Sequence, residues 1–426
     1  MKYALINGII LNGHKDMKPL YDHVILIENK IIKDIVFKQK DLSEYKIIDL
    51  KGKYILPGLI NLHVHLPASG KPKKKASDPK KLVKLITKNK LTNQIGMKIC
   101  MSYAKTELLS GVTTIRTVGG VENYDTTIRD MIENGEIIGP RIIASNKAIS
   151  VEGGHMAGSL AYEAKNEQEA KHYVDVIAQD HPNLIKLMIT GGVMDAKVVG
   201  EPGVLRMPPE YVKAACDRAH ELGFQVAAHV ESTQGVMVAL KNGVDSLEHG
   251  AKPTDEIISL MKEHHAFQVS TISPALPFAM FDRNISHATY EQQENGKIVF
   301  QGIIDMANAC LQNDIPVGLG TDTGCPYVTH YDMWRELVYF EKYCHVSPQF
   351  ALYTATLLNA LLLGISDKIG SIEKGKMADM IVVDQDPLQD LKALRNVKMV
   401  IKEGYVIEHP KVKKIRKVEK ELDQFI

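Results

Sequence analysis

The sequence predicts an α/β protein: a closed (β/α)8 TIM barrel with a small β-sandwich domain made from both chain ends. Eight apolar runs of strand length follow Pro57-Gly58, and amphipathic stretches of helical period lie between several of them. Both ends of the chain instead carry short β-branched segments interrupted by Asn or Gly. Alternating strands and helices indicate parallel strands with right-handed crossovers, and eight such units are typical of a barrel.

The barrel elements follow from the periodicity of the apolar residues. The predicted strands are 59–65, 111–119, 141–150, 184–192, 224–230, 244–250, 266–272 and 316–323. The predicted helices between them include 127–137, 208–223, 233–243 and 254–265. This alternation defines a barrel domain of residues 58–357, whose active site is expected at the carboxyl ends of the strands.

The two chain ends have a different pattern. Near the N-terminus, "YALINGIILNG" and "HVILIENKIIKDI" predict hairpins around Asn or Gly turns. The short-strand pattern returns after residue 358, and a charged helix is predicted over 411–426. We therefore predict that 1–57 and 358–426 form one composite β-sandwich domain.

The composition limits the possible functions. The chain has 426 residues, of which 45% are hydrophobic and 24% charged, and a net charge of +1. This balance provides no global field for nucleic acid or an anionic membrane, so we expect neither partner. No signal peptide or membrane span is predicted, and five scattered cysteines indicate a reducing compartment, taken as the cytoplasm.

Two histidines stand at the end of the first predicted barrel strand. In "INLHVHL", His63 and His65 share one face, because residues i and i+2 of a strand point the same way. Two neutral imidazoles at this spacing can bind one divalent metal. Two hydrogen-bonded histidines in a strand are the alternative.

Three more residues of ligand type end later strands. His229 ends "QVAAHV", His249 ends "SLEH" and Asp322 lies in "GLGTDT". Each alone can be a core histidine or a turn aspartate. Because the carboxyl ends of barrel strands converge on one mouth, the set together favours a metal site.

Lys186 lies in "LIKLMITGG", where the apolar neighbours predict full burial. A buried ammonium is costly unless it is paired or chemically altered. Reaction of the amine with carbon dioxide would give a carbamate with two anionic oxygens, which can bridge two metals. A lysine that reaches solvent at the strand end is the alternative.

Over essentially its whole length the chain resembles the amidohydrolase superfamily. The resemblance rests on "ILPGLINLHVHL", "GVTTIRTVGG", "EGGHMAG", "IKLMITGG", "AAHVES", "SLEHGA", "GLGTDTG" and "LGISDKIGSIEKGKMADMIVVD". It is strongest toward the imidazolonepropionase-like and prolidase-like (Xaa-Pro dipeptidase) branch.

The resemblance implies a role for each ligand-type residue. His63 and His65 match the ligands of a more buried metal, and His229 and His249 match those of a more exposed one. Lys186 matches the carbamylated lysine that bridges both ions. Asp322 matches the residue that binds the buried metal and serves as general base and acid. The implied cofactors are two divalent ions, with zinc as the expected metal, and carbon dioxide for Lys186.

The implied reaction is hydrolysis of a C–N amide bond in a small peptide-like or cyclic amide, through a metal-bridging hydroxide. A prolidase-like dipeptidase is an alternative, as is a deaminase or a lactone hydrolase. Ser232 stands where family deaminases carry a glutamate, which disfavours deamination. A non-catalytic assembly protein on the same barrel is disfavoured because all six ligand positions are kept. Relatives are often homo-oligomers, so one is expected.

Two residues are candidates for substrate contact. His155 in "EGGHMAG" matches a substrate-binding histidine of the prolidase-like branch. Glu231 lies where that branch usually has a tyrosine that binds the substrate carboxylate, and a glutamate would repel that group. Alternatively, Glu231 caps the helix that follows. The basic insert 71–81 is predicted to be a solvated loop, with a lid as the alternative.

Overall fold

The computed structural model describes residues 1–38, 41–72 and 78–426. Its strands are β1 Lys2–Ile6, β2 Ile9–Ile10, β3 His23–Glu28, β4 Ile31–Phe37, β5 Lys46–Asp49, β6 Tyr54–Pro57, β7 Leu59–Val64, β8 Val112–Thr117, β9 Arg141–Ile143, β10 Ala148–Val151, β11 Ala161–Ala164, β12 Leu184–Met188, β13 Gln225–Val230, β14 Ser246–His249, β15 Phe267–Ser270, β16 Val317–Leu319, β17 Met380–Val383, β18 Met399–Lys402 and β19 Tyr405–Glu408.

The helices alternate with the strands through the middle of the chain. They are α1 Pro79–Ile86, α2 Lys90–Leu109, α3 Tyr124–Glu133, α4 Glu167–Ala178, α5 Pro209–Glu221, α6 Thr233–Lys241, α7 Asp255–Glu263, α8 Ile272–Met280, α9 Arg283–Ser286, α10 Tyr290–Gln312, α11 Met333–Cys344, α12 Pro348–Tyr353, α13 Asn359–Leu362 and α14 Arg416–Leu422. Short 3-10 helices occur at Val193–Asp195, Leu391–Arg395 and Asp423–Phe425. A π-helical segment, Thr354–Leu358, joins α12 to α13.

The chain divides into two compact units. The first comprises Met1–Asn61, Ala104–Ile115 and His330–Ile426. It contains a sheet of order β4-β3-β1-β5 and a second of order β19-β18-β17-β6-β2. In the second sheet β6 pairs antiparallel with β17, so that segments from both chain ends are hydrogen-bonded to each other.

The core of this first unit is an apolar cluster drawn from both sheets. Ile25 and Ile27 of one sheet and Met380 and Val382 of the other are buried in the same cluster. In each pair the residues are two apart, as expected for one face of a strand turned toward the core. The domain boundaries predicted from the sequence stay a prediction.

The second unit comprises Leu62–Tyr103 and Arg116–Thr329. Its main sheet has seven strands in the order β11-β10-β12-β13-β14-β15-β16, and every pairing is parallel. Beyond the last strand, the Asp322 N–H donates to the carbonyl of His63 at 2.9 Å, and the His65 N–H donates to that of Thr323 at 3.0 Å. The end of the sheet is thereby bonded to the end of β7, which is consistent with the predicted barrel.

The strand predicted over 141–150 is interrupted. β9 pairs with β8 in a three-stranded sheet with β7, whereas β10 belongs to the seven-stranded sheet. Asn146, between them, has φ = 61°, a left-handed conformation that no regular strand contains. Its carbonyl accepts from the Gly120 N–H and its side-chain oxygen from the Thr126 N–H, which explains why the turn is stable.

Two further expectations bear on regions outside the barrel strands. Among the described residues, no helix is both long and apolar enough to cross a bilayer. The basic insert 71–81 includes residues 73–77, which lie outside the described residues, so its predicted role as loop or lid stays a prediction.

Candidate metal centre

The first group of predicted ligands converges at the end of β7. His63 and His65 are 1% and 4% exposed, and Asp322 is 7% exposed. Oδ1 of Asp322 lies 3.4 Å from Nε2 of His63 and 3.2 Å from Nε2 of His65. Within the described part of the chain, this oxygen has no hydrogen-bond partner. Two ring nitrogens and a carboxylate oxygen thus face one another as donors around a cation do.

His229 and His249 extend this cluster. Their rings lie 4.7 Å apart, and the ring of His249 is 4.9 Å from that of His63. Potential ligand atoms of His63, His249 and Asp322 all lie within 4.8 Å of one another, as do those of His229, Glu231 and His249. His249 belongs to both groups, so the two possible ion positions adjoin.

Two of the predicted ligands have unusual backbone conformations. His249 has φ = 69° and Asp322 has φ = 56°, both in the left-handed region that non-glycine residues seldom adopt. Glu248 and His249 are neighbours on one strand, yet both contact His63. The left-handed turn at His249 therefore overrides strand alternation and directs both side chains to the same site.

Each imidazole has one ring nitrogen in a hydrogen bond. Nδ1 of His63 bonds Oε2 of Glu248 at 2.8 Å, and Nδ1 of His65 bonds the Gly119 carbonyl at 2.8 Å. Nδ1 of His249 bonds the Thr271 hydroxyl at 2.7 Å, and Nε2 of His229 bonds the Gly191 carbonyl at 3.2 Å. Such contacts fix the ring orientation and leave the other nitrogen for an ion. Burial also lowers the pKa of His63 to about 4, so this ring is neutral, as a metal ligand must be.

Lys186 is buried in the middle of β12 and is 1% exposed. Its pKa is lowered to about 8, chiefly because burial disfavours the charged amine. Among the described residues, nothing hydrogen-bonds its Nζ. The alternative of a lysine that reaches solvent is therefore wrong, since the side chain is only 1% exposed.

His155 lies against the cluster from the loop after β10. Its ring stacks on that of His229 with centroids 4.3 Å apart and an interplanar angle of 8°. Its Nδ1 lies 2.5 Å from Oδ2 of Asp195, which also accepts from the Gly192 N–H. The Asp195 carboxylate thus holds His155 in place, which the sequence did not indicate.

Glu231 does not cap the following helix. The Ser232 hydroxyl accepts from the Gly235 N–H and caps α6, whereas Oε2 of Glu231 accepts from the Val193 N–H at 2.9 Å. The capping alternative is therefore wrong. Burial raises the pKa of Glu231 to about 8, and the repulsion of a carboxylate expected from the sequence requires the ionised form.

A small cleft lies beside these groups. Its polar wall contains His155, His229, Glu231 and Asp322, and its apolar wall contains Pro274, Ala275, Phe278, Val299 and Ile303. The apolar residues come from α8 and α10. A mainly apolar pocket with a few convergent polar groups is typical of a small-molecule site.

Gly320 is required for the position of His63. An added Cβ at residue 320 would lie 2.5 Å from Cβ of His63 and 2.7 Å from its nitrogen, which is closer than real Cβ contacts. We expect Gly320→Ala to lower stability by about 1–3 kcal/mol and, if His63 shifts by about 1 Å, turnover by about 100-fold. Thermal unfolding and bound metal measure both effects.

Gly139→Ala is the matched control for this substitution. Its Cβ would meet only the flexible end of Ile132, at 2.4 Å, so a small rotation of that side chain relieves the contact. The control is expected to bind metal as the wild type does. If Gly320→Ala also binds metal as the wild type does, the position of His63 does not depend on the absence of a Cβ at residue 320.

The imidazoles, the carboxylate and the buried lysine brought together on these parallel strands are residue types used by the class of hydrolases that activate water with bound metal. The amidohydrolase family model matches residues 54–407. The chain belongs to the amidohydrolase family and is a hydrolase of carbon–nitrogen bonds.

Individual relatives can be aligned with nearly the whole of this chain. An ochratoxinase of Aspergillus niger is 25% identical over 429 residues, spanning 92% of this chain and 83% of its own. A solved structure of a candidate prolidase from Bifidobacterium longum is 33% identical, with a TM-score of 0.87 and coverage of 99% of this chain and 98% of its own. A Xaa-Pro dipeptidase with bound methionine is 29% identical, with a TM-score of 0.83 and coverage of 96% and 100%. Imidazolonepropionases also occur among the relatives, so the predicted branch is confirmed.

Proposed function

We propose that this protein is a metal-dependent amidohydrolase that cleaves the C–N amide bond of a small peptide-like or cyclic amide. The observation that carries the proposal is Lys186, whose buried Nζ lacks a hydrogen-bond partner among the described residues. An amine left unsatisfied in an interior is destabilising, so it needs a compensating role. A carbamate that binds two ions supplies that role.

The residues present fit two divalent ions. His63, His65 and Asp322 would hold one ion and His229 and His249 the other, with the carbamate of Lys186 between them. Neutral imidazoles and carboxylate oxygens suit zinc, which we propose as the metal. When bound, such ions lower the pKa of a water molecule and polarise an amide carbonyl.

The modification of Lys186 is chemically balanced. The neutral amine attacks the carbon of carbon dioxide, so that a new N–C bond forms as one C=O π bond breaks, and the nitrogen passes one proton to water. The product carries one negative charge over two oxygens in place of a neutral amine. A pKa lowered to about 8 increases the share of neutral amine available for this reaction.

Asp322 would move the proton during hydrolysis. Oδ1 of its carboxylate lies against Nε2 of His63 and Nε2 of His65, where a bound cation would favour the ionised form. It is therefore ionised and can accept the proton of the attacking water. The same group then delivers the proton to the leaving nitrogen.

The cleft suggests the shape of the substrate. It is lined by polar groups that include His155 and Glu231 and by the apolar side chains of Phe278, Val299 and Ile303. We infer an amide with an apolar group on one side of the scissile bond. His155 and Glu231 would bind its polar atoms.

We expect His155→Ala to raise KM about tenfold or more, because a hydrogen bond to a charged substrate group contributes about 1.5–3 kcal/mol. The metal content should stay unchanged, since the proposed role of His155 is in substrate binding. Steady-state kinetics and elemental analysis distinguish the two roles. His172, which is exposed on α4, provides the control, and His172→Ala should have the KM of the wild type. An unaltered KM in His155→Ala would show that His155 does not contact the substrate.

A prolidase-like dipeptidase is the second candidate. The similarity to a Xaa-Pro dipeptidase with methionine in its active site favours it. Glu231 replaces the tyrosine typical of that branch, and it would repel a substrate carboxylate only in its ionised form, which burial disfavours by raising its pKa to about 8.

A substrate screen tests the proposed function. The zinc-loaded protein is assayed with N-acyl amino acids, Xaa-Pro and other dipeptides, cyclic amides and a lactone, with separate detection of ammonia. Hydrolysis of an amide with an apolar substituent supports the proposal. Ammonia release alone, or hydrolysis of the lactone alone, would overturn it.

The proposal extends to the setting of the enzyme. All five cysteines are free thiols among the described residues, which supports a reducing compartment such as the cytoplasm. The buried cluster shared by the two sheets of the first unit supports their assignment as the predicted β-sandwich. A homo-oligomer remains a prediction.

A further inference from the structure

Glu248 is a fully buried carboxylate that the proposed chemistry does not use. It lies on β14, directly before His249, and is 0% exposed. Burying an ionised carboxylate is costly unless both oxygens are bonded. Both oxygens of Glu248 are hydrogen-bonded, one to His63 and the other to Arg116 and Ser246.

One oxygen of Glu248 faces a proposed metal ligand. Oε2 lies 2.8 Å from Nδ1 of His63. A carboxylate can only accept at this position, so Nδ1 of His63 carries the proton and Nε2 presents its lone pair. That same Nε2 lies 3.4 Å from Oδ1 of Asp322, inside the ligand cluster.

The other oxygen of Glu248 is fixed by two donors. Nη2 of Arg116 lies 2.6 Å from Oε1, and the Ser246 hydroxyl lies 2.9 Å from the same atom. Arg116 is itself only 4% exposed, and its charge neutralises that of Glu248. The pair therefore remains ionised inside the barrel wall.

Arg116 also holds the strand that carries His63. Its Nε donates to the Leu62 carbonyl at 2.7 Å, one residue before His63, and its Nη1 donates to the Ser246 hydroxyl at 3.1 Å. A single guanidinium thus links β7, β8 and β14 behind the site. The backbone and the ring of His63 are both set by this pair.

We propose that Glu248, held by Arg116, is a positioning residue that orients His63 and strengthens it as a metal ligand. The proposal rests on the proposed function, since it assumes that His63 binds an ion. His63 bonds the Glu248 carboxylate through the ring nitrogen that is turned away from Asp322, whereas Nδ1 of His65, Nδ1 of His249 and Nε2 of His229 bond carbonyl or hydroxyl oxygens. A carboxylate partner increases the basicity of an imidazole more than a neutral oxygen does.

The test measures metal affinity instead of activity. In Glu248→Gln the side chain keeps its size and an acceptor oxygen but loses its charge. Metal-free protein is titrated with zinc against a chromophoric chelator. We expect one of the two ions to bind about 10- to 100-fold more weakly. The absorption spectrum of the cobalt-loaded variant should also change, because the field at His63 differs.

Ser246→Ala is the matched control, because it removes a bond to the same carboxylate but leaves the contact with His63. Its zinc affinity and cobalt spectrum should remain those of the wild type. A merely structural role of Glu248 would lower the thermal midpoint of the metal-free variant without weakening zinc binding, and that result would overturn the proposal.

The remaining outcomes are also decisive. If Glu248→Gln does not fold, it is combined with Arg116→Met, so that no unpaired charge is buried. Weaker zinc binding by the double variant would then support the proposal, and unchanged zinc binding would overturn it. Wild-type protein that binds no zinc would refute the proposed function itself. Two ions bound equally well by wild type and variant would refute only the role of Glu248.

Discussion

Lys186→Met is expected to give a folded protein that cannot hold two metal ions and that turns substrate over about 10³-fold or more slowly, because several kcal/mol of metal-derived stabilisation are lost. Methionine has nearly the length of lysine and, like the neutral amine, carries no charge. The lost amine had no hydrogen-bond partner among the described residues. We therefore expect the metal-free variant to be as stable as the wild type or more stable. Elemental analysis, thermal unfolding and an amide-hydrolysis assay measure the three quantities.

Lys402→Met provides the matched control. Lys402 is also buried, at 8% exposed, but its Nζ lies 2.7 Å from Oε1 of Glu403 and 3.5 Å from Oδ1 of Asp379. Its replacement should lower stability, since it removes a cation from beside two carboxylates, yet metal content should not change. Full activity in Lys186→Met would exclude the carbamate bridge.

Asp322→Asn is expected to retain metal but to lower kcat by about 10²- to 10⁴-fold, the range that general acid–base catalysis contributes. The amide oxygen can still serve as a ligand, but it cannot accept and return a proton at neutral pH. We therefore expect a metal content near that of the wild type together with the lowered kcat. An unchanged rate would remove the proton-transfer role.

The control for Asp322→Asn lies at the opposite end of the same sheet. Asp245 precedes β14, and its carboxylate accepts from the Val226 N–H at 2.7 Å and contacts His220 at 2.9 Å. Residues at the amino ends of barrel strands serve stability instead of catalysis. Asp245→Asn should therefore lower the thermal midpoint and leave kcat within a few-fold of the wild type.

The sequence predicts the ends of β7, β13 and β14 to within one residue, because alternation and burial are local properties, but the strands predicted over 184–192 and 316–323 end at Met188 and Leu319, so Asp322 lies beyond β16 and does not end it. His63, His229 and His249 stand at or next to the last residue of a strand, as the apolar runs indicate. Burial of Lys186 also follows from its neighbours alone. These features need no knowledge of distant parts of the chain.

Other features depend on contacts that no local pattern contains. The role of Glu248 cannot be predicted from "SLEHG", since its partners Arg116 and His63 lie 132 and 185 residues away in the sequence. The left-handed turns at Asn146 and His249 are imposed by tertiary hydrogen bonds or by the site, against local preference. The contact of Asp195 with His155 joins two loops and has no periodic signal.

The most direct test of the two-ion account is a zinc titration of the metal-free wild-type protein with and without bicarbonate, with bound zinc counted by elemental analysis. We predict two zinc ions per chain with bicarbonate present, and fewer when carbon dioxide is excluded. Failure to bind zinc, or two tightly bound ions with no dependence on carbon dioxide, would contradict the account.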